Sequence, residues 1–559
     1  MVRRVLQTMY REIRGLHEAA YVLAIFALGS QALALVRDHL MARQFGASAP
    51  LDVYYAAFRI PDLLFAIFPS ILSVYVLIPF LADRLPQSVD KPRALMSAVF
   101  TWFLVGYGAL AGIIFIFAHP IVAVFFQGFS SEKQELLVVI MRILLLQPFF
   151  LSLQSLFGVV TQLHRKFILY AISPLVYNIG IILGIVVLYP MMGLSGLAVG
   201  VVLGAILHLS IQIPFLLRSG LAPRIAIRFD RALLWTILKS SFPRALTLML
   251  QQFVLLALTA IAAMMATGSV TVLQFAYNLQ SVPLAIIGVS YAVAAFPTFA
   301  RLYSEGDRNA FLNHVYAALR HIIFWSLPAI ALFVVIRAQI VRVILGSGAF
   351  DWNDTRLTAA VLALFIISLA AQSAHNLIVR AFYAAGSSRT PLVVTLVSSV
   401  AIVFTAGLCY FLYGYVPRFA STLRALFRVE DVPGTEVLTI PFAFSFVFIM
   451  HSIVLVYLFA REYGTGGVSN LRRVLWQSLG AGFTIAAVAY SALNILVEGF
   501  RVDRVTGVFM QGFISGILGL AAGALFLASA RSPELKEVTT ALLRYRFWKA
   551  RPIAAQEKE

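Results

Sequence analysis

The stretch SQALALVRDHLMARQFGASAPLDVYYAAFRIPDLL, residues 30–64, begins inside a strongly apolar run yet carries Arg37, Asp38, Arg43, Asp52, Arg59 and Asp62. Ionisable side chains are costly inside a membrane, and where they occur they face a protein interior or a water-filled cavity. Two chemistries are open to such a set. It can be a buried ion-pair cluster that only fixes the first helices, or it can line a path for a charged solute. Asp52, Tyr55, Arg59 and Asp62 recur at three- and four-residue spacing and so share one helical face. In the preceding segment Ser30, Arg37 and Gln44 share one face, while Gln31 and Asp38 share another. Pro61, Pro69 and Pro79 interrupt the second segment, and broken helices are a feature of transport sites. Ala32, Ala34 and Ala42 allow close helix approach.

Catalytic patterns give no competing account. HEAAY (17–21) lacks the second histidine of a zinc motif, and LGSGAF (345–350) lacks the lysine of a phosphate loop. Cys409 is the single cysteine, which excludes an internal disulfide or a cysteine-based metal site. Asp351 and Asp354 are the one close acidic pair that an integral-membrane glycosyltransferase could use. Neither an enzyme nor a cofactor is expected.

The elements that must carry the charges follow from composition. Of 559 residues, 61% are hydrophobic and 12% charged, and mean hydropathy is +0.90. A soluble domain needs far more charge to cover its surface. Apolar runs of about 20 residues recur throughout, as spanning helices require. The net charge of +19 fits a positive-inside bias and anionic membrane lipids, with no nucleic-acid partner. The expected fold is an all-α polytopic membrane protein of about fourteen transmembrane helices, starting with spans near 19–45 and 52–82 and ending with 471–496 and 507–530. The pieces 119–129 and 337–350 are too short to cross.

Lys and Arg collect at residues 3–14, 84–93, 165–166, 218–231, 301–308 and 472–473 and in the tail, which puts both termini in the cytoplasm. Residues 417–437 form the exception, a charged loop on the opposite side. The chain also echoes itself: VLIPFLADRL (76–85) returns as AAFPTFARLY (294–303), and QLHRKFILYAISPLV (162–176) as AAGSSRTPLVVTLV (384–397). Each pair lies six spans apart, so two six-helix bundles are expected in a parallel pseudo-twofold repeat, followed by two further helices. The expected divisions are a cytoplasmic interfacial helix (1–18), an N-terminal bundle (19–217), a linker (218–235), a C-terminal bundle (236–460), two extra helices (461–530) and a basic cytoplasmic tail (531–559).

Four segments carry a resemblance over about residues 20 to 400. GSQALALVRDHLMARQFGASAPLDVYYAAFRIPDLL, AYNLQSVPLAIIGVSYAVAAFPTFARL, LGSGAF and RAFYAAGSSRTPLV resemble the MurJ/MviN family of lipid II flippases. The resemblance implies a central cationic cavity in the bacterial inner membrane. Lipid-linked peptidoglycan precursor would pass through it from inner to outer leaflet by alternating access. Arginine suits that cargo because its planar fork binds pyrophosphate oxygens in pairs. Arg37, Arg43 and Arg59 are the implied head-group ligands, with Asn278 and Gln280 as neutral donors. Asp38, Asp52 and Asp62 are then charge-balancing or coupling residues.

The chain departs from the family pattern at Gln31, Phe65, Ala66, the PSILSV segment and Asn278, where many members have arginine or small residues. Three alternatives stay open: another lipid-linked oligosaccharide as cargo, a cation-coupled MATE-like exporter, or a transport-inactive scaffold for envelope-synthesis enzymes. Membrane lipids and, in the scaffold reading, envelope enzymes are the expected partners.

Overall fold

An apolar run in lipid has no water to satisfy its backbone, so its amides and carbonyls must bond within the run itself. Every regular element of the computed structural model is accordingly helical among the described residues. These are residues 16–72, 77, 81, 90–164, 166–226, 231–465, 469–496 and 504–548. Most of the expected interfacial helix (1–18) and the end of the expected tail lie outside them.

Eleven helices among the described residues are long and apolar enough to cross a membrane, and a bent pair, Trp352–Ile367 with Leu369–Ala384, raises this to 12. The first expected span coincides with α1 (Leu16–Phe45), and the second begins with α2 (Ala49–Ala57) followed by α3 (Arg59–Ile71), most of its end over 73–82 lying outside the described residues. The break at Phe58 has a local cause. Pro61 has no amide hydrogen for the Ala57 carbonyl, and its ring opposes helical backbone just before it. Residues 119–129 and 337–350 contain only the short helices Ala118–Phe125 and Arg337–Leu345.

Two compact units emerge. The first comprises Met1–Ala276, Ile344–Val361 and Leu392–Phe444, and the second Tyr277–Val343, Leu362–Pro391 and Ser445–Glu559. The division falls inside helices, as between Ala276 and Tyr277 of the Ser269–Pro283 helix.

In the first unit, Phe68 meets Phe103 edge-on at 5.5 Å and Phe103 stacks on Phe149 at 5.6 Å. One close helix approach in it is made by glycines. A Cβ on Gly200 would lie 2.3 Å from the Cα of Gly184, and one on Gly180 would lie 2.3 Å from the Cα of Gly204. Gly196, Gly200 and Gly204 recur every four residues, the small-residue stripe that lets two backbones touch in a membrane.

In the second unit, Phe459 packs against Phe311, Phe382 and Tyr463. The helices Ser469–Leu496 and Val505–Ser529 meet where Gly519 and Gly523 face Ile485. The basic tail begins as a helix, Pro533–Trp548. Its Glu534, only 1% exposed at the side chain, lies 3.6 Å from both Arg320 and Arg473.

The expected loop 417–437 is folded. An amphipathic helix, Pro417–Phe427, buries Ala420, Leu423 and Phe427 and ends on Arg428 in the left-handed region, φ 57°. Arg356 then clamps the return. Its two terminal nitrogens each lie 2.6 Å from an Asp431 carboxylate oxygen, and one also donates to the Arg428 carbonyl at 2.6 Å.

Two outcomes follow from this packing. Gly200→Leu should lower the thermal unfolding midpoint in detergent by an amount equivalent to about 1–3 kcal/mol of overpacking or more. Gly108→Leu, where an added Cβ meets nothing within 4 Å, should leave it nearly unchanged. Equal midpoints would contradict the close approach. The second outcome concerns pH. Hydrogen bonding to Arg356 holds the Asp431 carboxyl below its usual range. A lowered folded value means the clamp stabilises at neutral pH, and that its contribution fades only as pH falls through that value, below roughly 4. Amide exchange across 428–434, corrected for intrinsic rates, should stay constant from about pH 7 to about pH 5 and rise below about pH 4. A rise already near neutrality would exclude the clamp.

Candidate functional site

The first three helices of the first unit gather most of the charges singled out above. Asp38 is 3% exposed, and a carboxylate at that depth requires a partner. Its neighbour Arg37 supplies one, with Nε at 2.9 Å and a terminal nitrogen at 2.8 Å from Oδ1. The pair is asymmetric, because the Arg37 side chain keeps 24% of its surface accessible against 5% for Asp38. Its guanidinium therefore sits against a buried counter-charge, while the side chain as a whole keeps part of its surface accessible. Tyr54, Tyr55 and Tyr177 interact electrostatically with this arginine. Tyr177 also accepts a hydrogen bond from Gln147 at 3.2 Å.

Arg59 lies deeper, 8% exposed. Its Nε donates to Thr259 Oγ1 at 2.8 Å, and a terminal nitrogen donates to Gln274 Oε1 at 2.5 Å. The half-buried Asp62 interacts electrostatically with Arg59 and Tyr177. The cluster is thus two guanidiniums and two carboxylates among tyrosines and amides, on helices broken at Phe58.

Asp52 does different work. It is 2% exposed, and its oxygens accept from Gly268 N (2.6 Å), Thr271 N (2.9 Å) and Thr271 Oγ1 (2.8 Å). These donors belong to the start of the Ser269–Pro283 helix, whose first amides have no partner within the helix. The anion also suits the positive end of the helix dipole. Asp52 and Arg59 share the helical face read from their spacing, and that face is turned toward residues 259–274.

Arg43 closes α1 with an exposed side chain. Its carbonyl accepts from Ala349 N at 2.9 Å, which docks the LGSGAF turn on the helix end. Gly348 is obligatory there: φ is +60°, and a Cβ would meet the Arg43 carbonyl oxygen at 2.3 Å. His39 secures the same turn, with Nδ1 donating to the Ile344 carbonyl at 2.8 Å.

Asn278 and Gln280 belong to the second unit. Gln280 is fully buried and trades amide hydrogen bonds with Gln372, at 3.4 and 3.2 Å. Gln372 donates also to Ser368 Oγ at 2.9 Å, which in turn accepts from Ser445 Oγ at 3.1 Å. Asn278 is half-buried, and its carbonyl accepts from Ser281 Oγ at 2.6 Å. His375 and His451 pair in the same unit, ring nitrogens 2.7 Å apart. No group of three or more metal-ligating side chains forms among the described residues.

Sequence reasoning missed Tyr54, Tyr177, Gln147, Thr259 and Gln274. The available signal was their polarity within apolar runs, but nothing local says which charge each one serves. One prediction follows. Asp52→Ala strands three donors and should cost about 1–3 kcal/mol, read as a lower unfolding midpoint. Asp52→Asn keeps one acceptor oxygen and should recover part of the loss. Equal midpoints for the wild type and the alanine variant would exclude the capping role.

The chain is similar to known proteins along most of its length. The family model described as "Lipid II flippase MurJ" matches residues 41–510. A lipid II flippase MurJ of Burkholderia cenocepacia is 28% identical over 396 residues, 68% of this chain and 75% of that protein. A probable lipid II flippase MurJ of Vibrio cholerae is 24% identical over 428 residues, 74% of this chain and 81% of that one. Among solved structures, a lipid II flippase MurJ in an inward closed conformation is similar at TM-score 0.70 and 20% identity, covering 91% of this chain and 99% of its own. An inward-facing multidrug MATE transporter is similar at TM-score 0.63 and 15% identity, covering 79% and 96% respectively.

Proposed function

Because the chain belongs to the lipid II flippase MurJ family, we propose that it carries lipid II from the inner to the outer leaflet of a bacterial cytoplasmic membrane, by alternating access and without changing a covalent bond. The observation that carries this reading is the family match over residues 41–510. The Arg37–Asp38 pair supplies the physical means. The guanidinium offers paired donors to the pyrophosphate, and the buried carboxylate keeps the empty site near neutral. An inside-negative potential drives an anion outward, by about 2.3 kcal/mol per charge per 100 mV.

Within this reading Arg37 is the principal head-group ligand. Arg43 serves from the end of α1, and Arg59 sets the field of the cluster while held by Thr259 and Gln274. Asp38 and Asp62 balance charge, and Asp52 positions the Ser269–Pro283 helix. Asn278 and Gln280 act as neutral donors, Gln280 only if its bond with Gln372 opens. Both termini are cytoplasmic, the two six-helix bundles form the parallel repeat, and envelope-synthesis enzymes are its neighbours.

The test replaces the native lipid II flippase of a bacterium with this chain and measures lipid II reaching the outer leaflet. Wild type should restore arrival. Arg37→Ala should reduce it at least about tenfold, the worth of one lost charge-assisted contact, at unchanged membrane abundance. Undiminished arrival with Arg37→Ala would leave that arginine only a packing role.

A further inference from the structure

The second unit holds a polar cavity that flipping leaves without a role. It has a volume of about 890 Å³ and is lined by Tyr303, Arg308, Ser387, Ser388, Arg389 and Glu462, among others. Three helix ends meet there. The Ser290–Ser304 helix turns into Arg308–Val335, Leu369–Ala384 turns into Arg389–Tyr415, and Thr439–Tyr463 ends. Two of the segments singled out in the sequence, AAFPTFARLY and AAGSSRTPLVVTLV, thereby converge on one concavity. Both turns run through glycines of positive φ, Gly306 (+78°) and Gly386 (+76°), and a Cβ on either would meet nothing within 4 Å. The walls are therefore open backbone, not packed core.

The two arginines differ in kind. Arg308 is fixed: Nε donates to the Tyr463 carbonyl at 3.0 Å and a terminal nitrogen to the Glu462 carbonyl at 3.0 Å. It satisfies the end of the Thr439–Tyr463 helix while its charge faces the cavity. Arg389 is exposed and has no hydrogen-bond or ion-pair partner among the described residues. The one carboxylate in the lining, Glu462, accepts from Thr390 Oγ1 at 3.4 Å. Two guanidiniums against one carboxylate leave the cavity cationic, and the Ser387 and Ser388 hydroxyls stand beside it. Fixed and free guanidiniums flanked by hydroxyls are the donor set that suits phosphate oxygens. By the charge bias of the sequence, the loops with Arg301, Arg308, Arg472 and Arg473 are expected on the cytoplasmic side, which would set these helix ends against an anionic leaflet.

We infer that this cavity is a binding site for a phosphate-bearing anion, separate from the α1–α3 cluster, with Arg389 as its free cation and Arg308 as its fixed one. The phosphate can come from an anionic lipid head group or from a soluble compound, and the test separates them. Full-length protein, stripped of anionic lipid in neutral detergent, is titrated with phosphatidylglycerol and, separately, with inorganic pyrophosphate. Binding is read by native mass spectrometry and by calorimetry.

At least one probe should bind about tenfold more weakly to Arg389→Gln, with Arg389→Lys in between and unfolding midpoints unchanged. Dependence confined to phosphatidylglycerol identifies a lipid head group, and dependence with pyrophosphate identifies a soluble anion. Measured in an Arg37→Gln background, which removes the pyrophosphate contact proposed for the α1–α3 cluster, the dependence on Arg389 should persist, so the outcome is separable from the flipping account. Equal affinities of wild type and Arg389→Gln for both probes would overturn the proposal.

Discussion

A charge placed in an apolar helix must be answered by another polar group, because lipid offers nothing else. That constraint organises the first unit. Asp38 is answered by Arg37, Arg59 by Thr259 and Gln274, and Asp52 by the opening amides of the Ser269–Pro283 helix. Each answer ties the first three helices to a segment some 200 residues away or fixes a rotamer within them. The glycine seam between Gly180–Gly184 and Gly196–Gly204 joins two further helices, one of which carries Asn178, donating to Ser30 Oγ, and Tyr177, accepting from Gln147. Arg37 stands apart because its answer is incomplete. Its carboxylate is buried while part of its own surface stays open.

Incomplete neutralisation is what a carrier of anions requires. A fully paired arginine would have to break strong contacts to receive a pyrophosphate, and an unpaired one would be too costly when empty. The pair lies between these limits. A cation-coupled exporter would place an accessible carboxylate in that position. Asp38 is instead buried beneath an arginine, Asp52 is occupied by three donors, and the half-buried Asp62 interacts with the Arg59 cation. The family match and the geometry therefore favour the same cargo class.

Much of this was legible in the sequence. Apolar run length gave the helices, Pro61 marked the break near Phe58, and residues 30–64 declared the charges. The family match reaches residue 510, past the point near 400 where recognisable segments ended, since span count alone carries no side-chain signature. The pairings were not legible. Nothing local to Asp52 announces that Gly268 and Thr271 will donate to it, and the spacing that puts Asp52 on a face with Arg59 cannot say what that face meets. Residues 417–437 read as a charged loop, yet hold an amphipathic helix clamped by Arg356. That fold depends on a residue some 70 positions earlier, so periodicity within the loop could reveal the helix but not the clamp.

The central claim is that the guanidinium of Arg37 receives the pyrophosphate of the cargo. Its most direct test is equilibrium binding of purified lipid II to the full-length protein and to Arg37→Gln, read by native mass spectrometry at matched unfolding midpoints. The account predicts affinity at least about tenfold weaker in the variant. Equal affinity would mean that the charge cluster only holds the helices together and that the head group is held elsewhere.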